Sequence, residues 1–316
     1  MIWSLVAGLE GPSLKEGLEP AASWIDLDKP TAAERAAVES ALELTLPSRV
    51  RMRSIEPSNR LVVAQEYVAM TYSGASRCED GSNERVTCIL APNYLITLRT
   101  AEDDAIATVR AYAERTPGAQ PHDLFIVLVD ATVGYLADRL EALGAEIDRI
   151  SGDVFHPDPQ DRRTRREVQE IMRNLGRIGT EILRLQDALT SNKRLVLFME
   201  QHRRLIAPDL DDRNAINVLG SDIDAINQLA NALDGKVDFL LNALLGLITL
   251  DQNQIMMVLS LIAAMFLPAT LISSIFGMNF VDMPGLSWHH GFLLCVAGMV
   301  MAAISVWLIF HWRRWM

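Results

Sequence analysis

Residues 252–280 read QNQIMMVLSLIAAMFLPATLISSIFGMNF, and residues 291–310 read GFLLCVAGMVMAAISVWLIF. Between residues 251 and 313 the only formally charged side chain is Asp282. The two apolar runs, 255–276 and 291–310, hold 22 and 20 residues. Each meets the roughly 20 residues needed to cross a hydrocarbon core of ~30 Å. A buried hairpin in a soluble core rarely runs so long without a charge, so two transmembrane helices are expected. The segment joining them (277–290) has no Lys or Arg, whereas 311–316 reads HWRRWM. Arg313 and Arg314 beside Trp312 and Trp315 make a basic, aromatic tail that stays on the cytoplasmic side of a plasma (inner) membrane. Two spans return the chain to its starting side, so both termini are expected in the cytoplasm.

Two helices cannot enclose a pore, and transport would need several copies around an axis. The first span carries a stripe suited to that. Thr249, Asn253, Met256, Ser260, Ala263, Leu267, Thr270 and Ser274 recur at steps of four and three, one face of a helix. A ring of such faces would line a narrow channel with hydroxyls and an amide, closed by apolar collars that gate by dewetting. Small and hydroxyl residues also pack membrane helices together, and spacing alone favours neither reading. Neither span contains Asp, Glu, Lys, Arg or His, so no proton relay crosses the membrane. No phosphate-binding GxxxxGK[ST] loop is present to couple ATP. An ion on this path meets neutral oxygens only, which suits Mg²⁺ travelling with its reluctantly shed waters.

Working outward, 209–267 contains no proline and reads as one helix running from the soluble region into the membrane, with Gly220, Gly235 and Gly246 each costing it about 1 kcal/mol against alanine. Before it, 161–204 shows helical spacing, and Pro208 interrupts the two. Residues 1–155 mix strand and helix signals. The runs 2–7, 24–27, 61–71, 86–89 and 94–98 are strand candidates. Thr31 with Glu34 three residues on is a capping box that opens a helix over 31–44. Further helices are expected over 101–115 and from Pro121 through 143. The expected architecture is an α/β cytoplasmic domain (1–155), a helical stalk (156–254), a first span (255–276), an outer loop (277–290), a second span (291–310) and the tail (311–316).

Hydrophobic residues make up 50% of the 316-residue chain, and the excess sits in the two spans. The formal net charge of −11 opposes nucleic-acid binding, which needs basic surface, and suits a solvated domain that gathers cations. Cys78, Cys88 and Cys295 form no CxxC pair, so neither a disulfide framework nor a zinc finger is expected. No Ser-His-Asp or Cys-His grouping suggests an enzyme.

Gly277-Met278-Asn279, followed by Phe280 and then Met283-Pro284, resembles the Gly-Met-Asn signature of the CorA family of divalent-cation channels. The whole of 252–280, including Pro268, resembles that family's pore helix. WIDLDKPTAAE (24–34) and IEPSNRLVVAQEYVAMT (55–71) resemble its N-terminal domain. The resemblance implies a funnel-shaped homopentamer whose first span lines the pore. It implies passive influx of hydrated Mg²⁺, with Co²⁺ and Ni²⁺ as substitutes, gated by intracellular Mg²⁺. Carried over residue by residue, Asn279 forms the outer selecting ring, Gly277 permits a tight turn and Met278 braces the loop. Thr270 and Ser274 make polar rings, Leu267, Ala263, Leu259 and Met256 form the hydrophobic gate, and Asn253 makes a polar ring at the cytoplasmic end. The chain departs from the pattern at Gly285, where an acid is usual, leaving Asp282 for ion capture. It departs again at Met257, where a lysine is common, and in a tail of only two arginines.

Regulatory Mg²⁺ would take carboxylate ligands, and the acid-rich stretch from Asp209 through Asp211 and Asp212 offers Asp222, Asp224, Asp234 and Asp238. A solvated acidic helix face fits the same residues. His289 and His290 are a possible transition-metal pair or simply an exposed loop pair. Two other functions fit the architecture: a Zn²⁺ transporter, and a membrane-anchored scaffold or sensor that needs neither the polar stripe nor the GMN loop.

Overall fold

The computed structural model describes residues 1–8, 11–19, 21–48, 60–64, 66–77, 83–101, 103–155, 165–206, 213–278 and 288–312. The chain forms two compact units, Met1–Leu241 and Asn242–Met316.

The first unit is built on a seven-stranded sheet: β1 (Ile2–Gly8), β2 (Gly11–Glu16), β3 (Trp24–Asp28), β4 (Leu61–Val63), β5 (Val68–Arg77), β6 (Asn83–Leu90) and β7 (Leu95–Arg99). Its order is β2-β1-β3-β7-β6-β5-β4. β3 and β7 run parallel, and every other neighbouring pair is antiparallel. All of β7 and four of the five β3 residues are buried, as central strands covered on both faces must be. One face packs Ile25, Leu27, Ala69, Ile89, Ile96 and Leu98 against Val38 of helix α1 (Ala32–Ala41) and against Leu44 and Leu46. Thr71 and Thr87 face each other in register, their hydroxyls 2.7 Å apart.

Thr31 caps α1 as expected: its hydroxyl accepts from Glu34 N at 3.2 Å, and Glu34 Oε2 accepts from Thr31 N at 2.7 Å. Helix α2 (Asp104–Arg115) opens on Asp103, whose Oδ1 accepts from Ala105 N. Helix α3 (Pro121–Phe155) runs twelve residues past the expected 143, its inward positions staying apolar through Leu143, Ile147, Ile150 and Val154.

Two expectations need correction. The run 61–71 is not one strand: β4 folds back on β5, with Leu61 opposite Met70 and Ala64 N donating to Tyr67 O. β2 was missed, because GPSLKE contains no β-branched or aromatic residue.

Helices α4 (Arg165–Ile206) and α5 (Arg213–Phe276) contain 42 and 64 residues. Within the first unit, α5 buries Ile216, Ile223, Ala230 and Val237 at seven-residue steps, with Leu219 and Leu240 each three residues after a member of that series. That is a coiled-coil-like seam, and packing of this kind rather than propensity sustains so long a helix. Gly144 of α3 packs against it, where a Cβ would lie 3.4 Å from Leu233 Cδ2. Ion pairs Arg139–Glu181 (2.7 Å), Arg177–Glu146 (2.5 Å) and Lys236–Asp148 tie α3 to α4 and α5. Pro208 lies outside the described residues.

In the second unit α5 continues to Phe276 and is followed by α6 (Gly291–Trp312). The helix passes through Pro268, as a span over 255–276 requires. A proline removes one N–H from the ladder, and membrane helices tolerate that loss where neighbouring groups satisfy the freed carbonyl.

Candidate functional site

α5 and α6 are the two described helices long and apolar enough to cross a membrane, and no residue in the most apolar window of either is buried. Leu267 is 67% exposed and Phe292 84%. Such side chains in water would each forfeit about 1.5–3 kcal/mol of burial, which a hydrocarbon surround restores.

The membrane part of α5 has distinct faces. Leu261, Ala264, Met265, Pro268 and Ile272 are partly covered. Ile272 and Phe276 line an apolar groove with Leu294, Cys295 and Gly298 of α6. All the expected pore residues, Asn253, Met256, Leu259, Ser260, Ala263, Leu267, Thr270 and Ser274, are exposed in the single chain. Seven of them, Leu259 aside, belong to the stripe read from spacing.

The hydroxyls on this face are oriented by the helix itself. Thr249 Oγ1 donates to Leu245 O at 2.9 Å, Ser260 Oγ to Met256 O at 2.8 Å and Thr270 Oγ1 to Phe266 O at 2.7 Å. With the proton committed to the preceding turn, each oxygen presents lone pairs outward. Water bound to a cation points its hydrogens away from the ion, so a face of acceptors complements a hydrated cation.

Gly277 ends the helix. Its N–H donates to Ser273 O at 2.9 Å, and a Cβ at this position would stand 3.1 Å from that same oxygen. The close approach leaves little room for any larger residue. Met278 follows, half exposed. Asn279 and Asp282 lie outside the described residues.

The acids considered for regulatory metal all lie on α5. Asp222, Asp224 and Asp238 are exposed and Asp234 is partly covered. Asp224 Oδ2 is held by Lys193 Nζ of α4 at 2.7 Å. Among the described residues no three His, Cys, Asp or Glu side chains converge in one chain. His289 and His290 meet edge to face, ring centroids 4.9 Å apart.

Sequence reasoning missed a buried charge cluster in the sheet. Asp26, 1% exposed, accepts from Thr97 Oγ1 (2.8 Å), Arg99 Nε (3.3 Å), Arg99 NH2 (3.1 Å) and Arg110 NH2 (2.9 Å). Trp24 Nε1 donates to the same Thr97 oxygen, and Arg110 lies over the Trp3 ring at 5.1 Å. The signal was an Asp inside the apolar strand WIDLD opposite LITLR, two β-runs that carry buried opposite charges.

The sequence pattern of the family described as CorA-like Mg²⁺ transporter protein matches residues 20–314. A magnesium transport protein CorA of Haemophilus ducreyi is 27% identical over 301 residues, covering 93% of this chain and 92% of its own length. The Salmonella typhimurium protein of the same name is 26% identical over 299 residues, again 93% and 92%. Among solved structures, the CorA magnesium transporter of Methanocaldococcus jannaschii superposes with a TM-score of 0.81 over 98% of this chain and 97% of its own, at 17% identity, a likeness of fold. An α/β domain, long helices and two C-terminal membrane-spanning helices are thus the architecture of a transporter rather than an enzyme, and the chain belongs to the CorA-like Mg²⁺ transporter family.

Proposed function

We propose that this protein is a homopentameric channel of the plasma (inner) membrane that admits hydrated Mg²⁺. The observation that carries the reading is the stripe of α5 whose Ser260 and Thr270 hydroxyls turn their lone pairs outward, in a chain whose relatives are magnesium transport proteins across 93% of its length. Five copies of the stripe line the path. Asn279 forms the outer ring with Gly277 and Met278 shaping the loop, and Asp282 gathers ions before it. Thr270, Ser274, Ser260 and Asn253 accept from the hydration shell, while Leu267, Ala263, Leu259 and Met256 make the dry gate. A hydrated cation needs no dehydration step here, which for Mg²⁺ is the costly one.

The working parts are a cytoplasmic domain (1–155), a stalk (156–254), the spans (255–276 and 291–310) with their outer loop (277–290), and a basic tail (311–316). Arg313 and Arg314 keep the tail, and with it the large domain, in the cytoplasm. The membrane potential, worth ~2.3 kcal/mol per charge per 100 mV, drives influx without ATP. Intracellular Mg²⁺ bound between subunits by stalk carboxylates closes the channel.

The test is uptake into liposomes holding purified protein, comparing Mg²⁺, Co²⁺, Ni²⁺ and Zn²⁺ at fixed potential. Potential-driven Mg²⁺ entry is expected. Zn²⁺ entry with none for Mg²⁺ would make this chain a zinc transporter of the same architecture, and no ion flux at all would leave an anchored scaffold.

A further inference from the structure

Lys193 of α4 makes two contacts with α5. Its ammonium donates to Gly220 O at 2.9 Å and to Asp224 Oδ2 at 2.7 Å. These two oxygens, a backbone carbonyl and a carboxylate four residues on, are the hard donors a divalent cation takes. A Cβ at residue 220 would stand 3.5 Å from Nζ, an ordinary contact, so the ammonium packs directly over this turn of α5. The preceding residue secures the other side of α4. Asn192 is fully buried, and its Nδ2 donates to Ser73 O of β5 at 3.0 Å and to Ala188 O at 2.9 Å. Two adjacent residues therefore link the sheet, α4 and the helix that continues toward the first span.

We propose that Lys193 is a resident cation of the stalk: it occupies the Gly220–Asp224 oxygens, keeps divalent metal off Asp224, and clamps α5 to α4 with no ion bound. A tethered ammonium competes at a high effective concentration that a free ion must exceed. Mg²⁺ is further handicapped by its reluctance to shed water. Asp224 is thereby removed from the metal-sensing set, and Asp222, Asp234 and Asp238 remain to answer intracellular Mg²⁺. The assignment to gating rests on the Mg²⁺-gated channel reading above, but the competition between Lys193 and metal does not.

The test uses the detergent-solubilised full chain with Mn²⁺ as a spectroscopic hard cation, its binding followed by electron paramagnetic resonance. Lys193→Met should tighten or add Mn²⁺ binding about two- to fivefold, the range set by an exposed ion pair. The double variant Lys193→Met/Asp224→Asn should abolish that gain. Asp224→Asn alone should leave Mn²⁺ binding as in the wild type. This third arm holds even if Lys193→Met fails to fold. Weaker Mn²⁺ binding by Asp224→Asn would make Asp224 a metal ligand in the wild type and overturn the proposal, as would a well-folded Lys193→Met with unchanged binding. In liposomes, Lys193→Met should also lower the internal Mg²⁺ concentration that closes the channel by a similar factor. A wild type that conducts no Mg²⁺ would sink the channel reading while the Mn²⁺ result still decides the fate of Lys193.

Discussion

Asp26 carries its charge in the middle of an apolar strand, and two guanidiniums depend on it. Burial works against the charge of Arg99, but the hydrogen bonds and field of Asp26, with Asp28 beyond, more than restore it and hold its pKa up. Replacing Asp26 by Asn keeps the shape and removes the charge, leaving Arg99 buried with only part of its partner set. Breaking one side of a buried pair costs about 3–5 kcal/mol. Denaturant unfolding of Asp26→Asn should show a loss of that order, and Arg110→Met a smaller one, since Arg110 is 29% exposed. At the outer end, Asn279→Ala should lose Mg²⁺ flux or selectivity while the protein still assembles, as read by liposome uptake and gel filtration. Wild-type-like uptake would take Asn279 out of the filter. At the gate, Leu259→Asn or Met256→Ser should let water persist in the collar, so that Mg²⁺ leaks at high internal concentration. A drop in stability with no gain in flux, at matched protein content, would assign that face to helix packing instead.

Among elements, α1 depends on its first turn. Thr31→Ala deletes the capping hydroxyl and should cost about 1 kcal/mol, visible in thermal unfolding of the full chain. Glu34 gives the same turn a pH dependence. The Thr31 N–H and then its hydroxyl hold the carboxyl below its usual 4.5. A lowered folded pKa stabilises above the unfolded value and is lost as pH falls through the folded one. Wild type should therefore weaken on acidification below about pH 4.5, and Glu34→Gln should flatten that limb of the stability curve. This turn was legible because both of its hydrogen bonds are local. So were the spans, whose length and lack of charge are properties of one segment. β2 and the β4–β5 turn were not: β2 pairs with its sequence neighbour β1 but lacks β-branched and aromatic residues, and the turn at 64–67 sits inside a run with strand character on both sides. The continuation of α5 past Pro268 was legible as well, because the uncharged run 255–276 includes the proline, and a span tolerates the local ladder defect. The stripe was readable by period, because helical spacing is a property of one segment.

For the whole molecule, the proposed closure by intracellular Mg²⁺ requires a path from the stalk to the proposed gate. α5 contains both the candidate sensing acids Asp222, Asp234 and Asp238 and the candidate gate residues Met256, Leu259 and Leu267 in one unbroken helix. Metal bound between subunits would fix the stalks of neighbouring copies against each other, and each stalk continues as a pore wall. A ligand moves a two-state equilibrium only by its differential affinity for the two states, so Mg²⁺ that closes the channel must bind the closed assembly more tightly. It must then also stabilise that assembly against unfolding, by RT ln(1 + [L]/Kd), or about 2.7 kcal/mol at a hundred times Kd. The detergent-solubilised oligomer should accordingly melt at higher temperature and resist protease better as Mg²⁺ rises through the millimolar range, and EDTA should reverse both. Substituting Asp222, Asp234 and Asp238 together by Asn should remove the Mg²⁺ effect and leave a channel that conducts at high internal Mg²⁺. A wild type whose melting and proteolysis ignore Mg²⁺ and EDTA alike would mean that these acids are a solvated face and that closure is driven elsewhere in the chain.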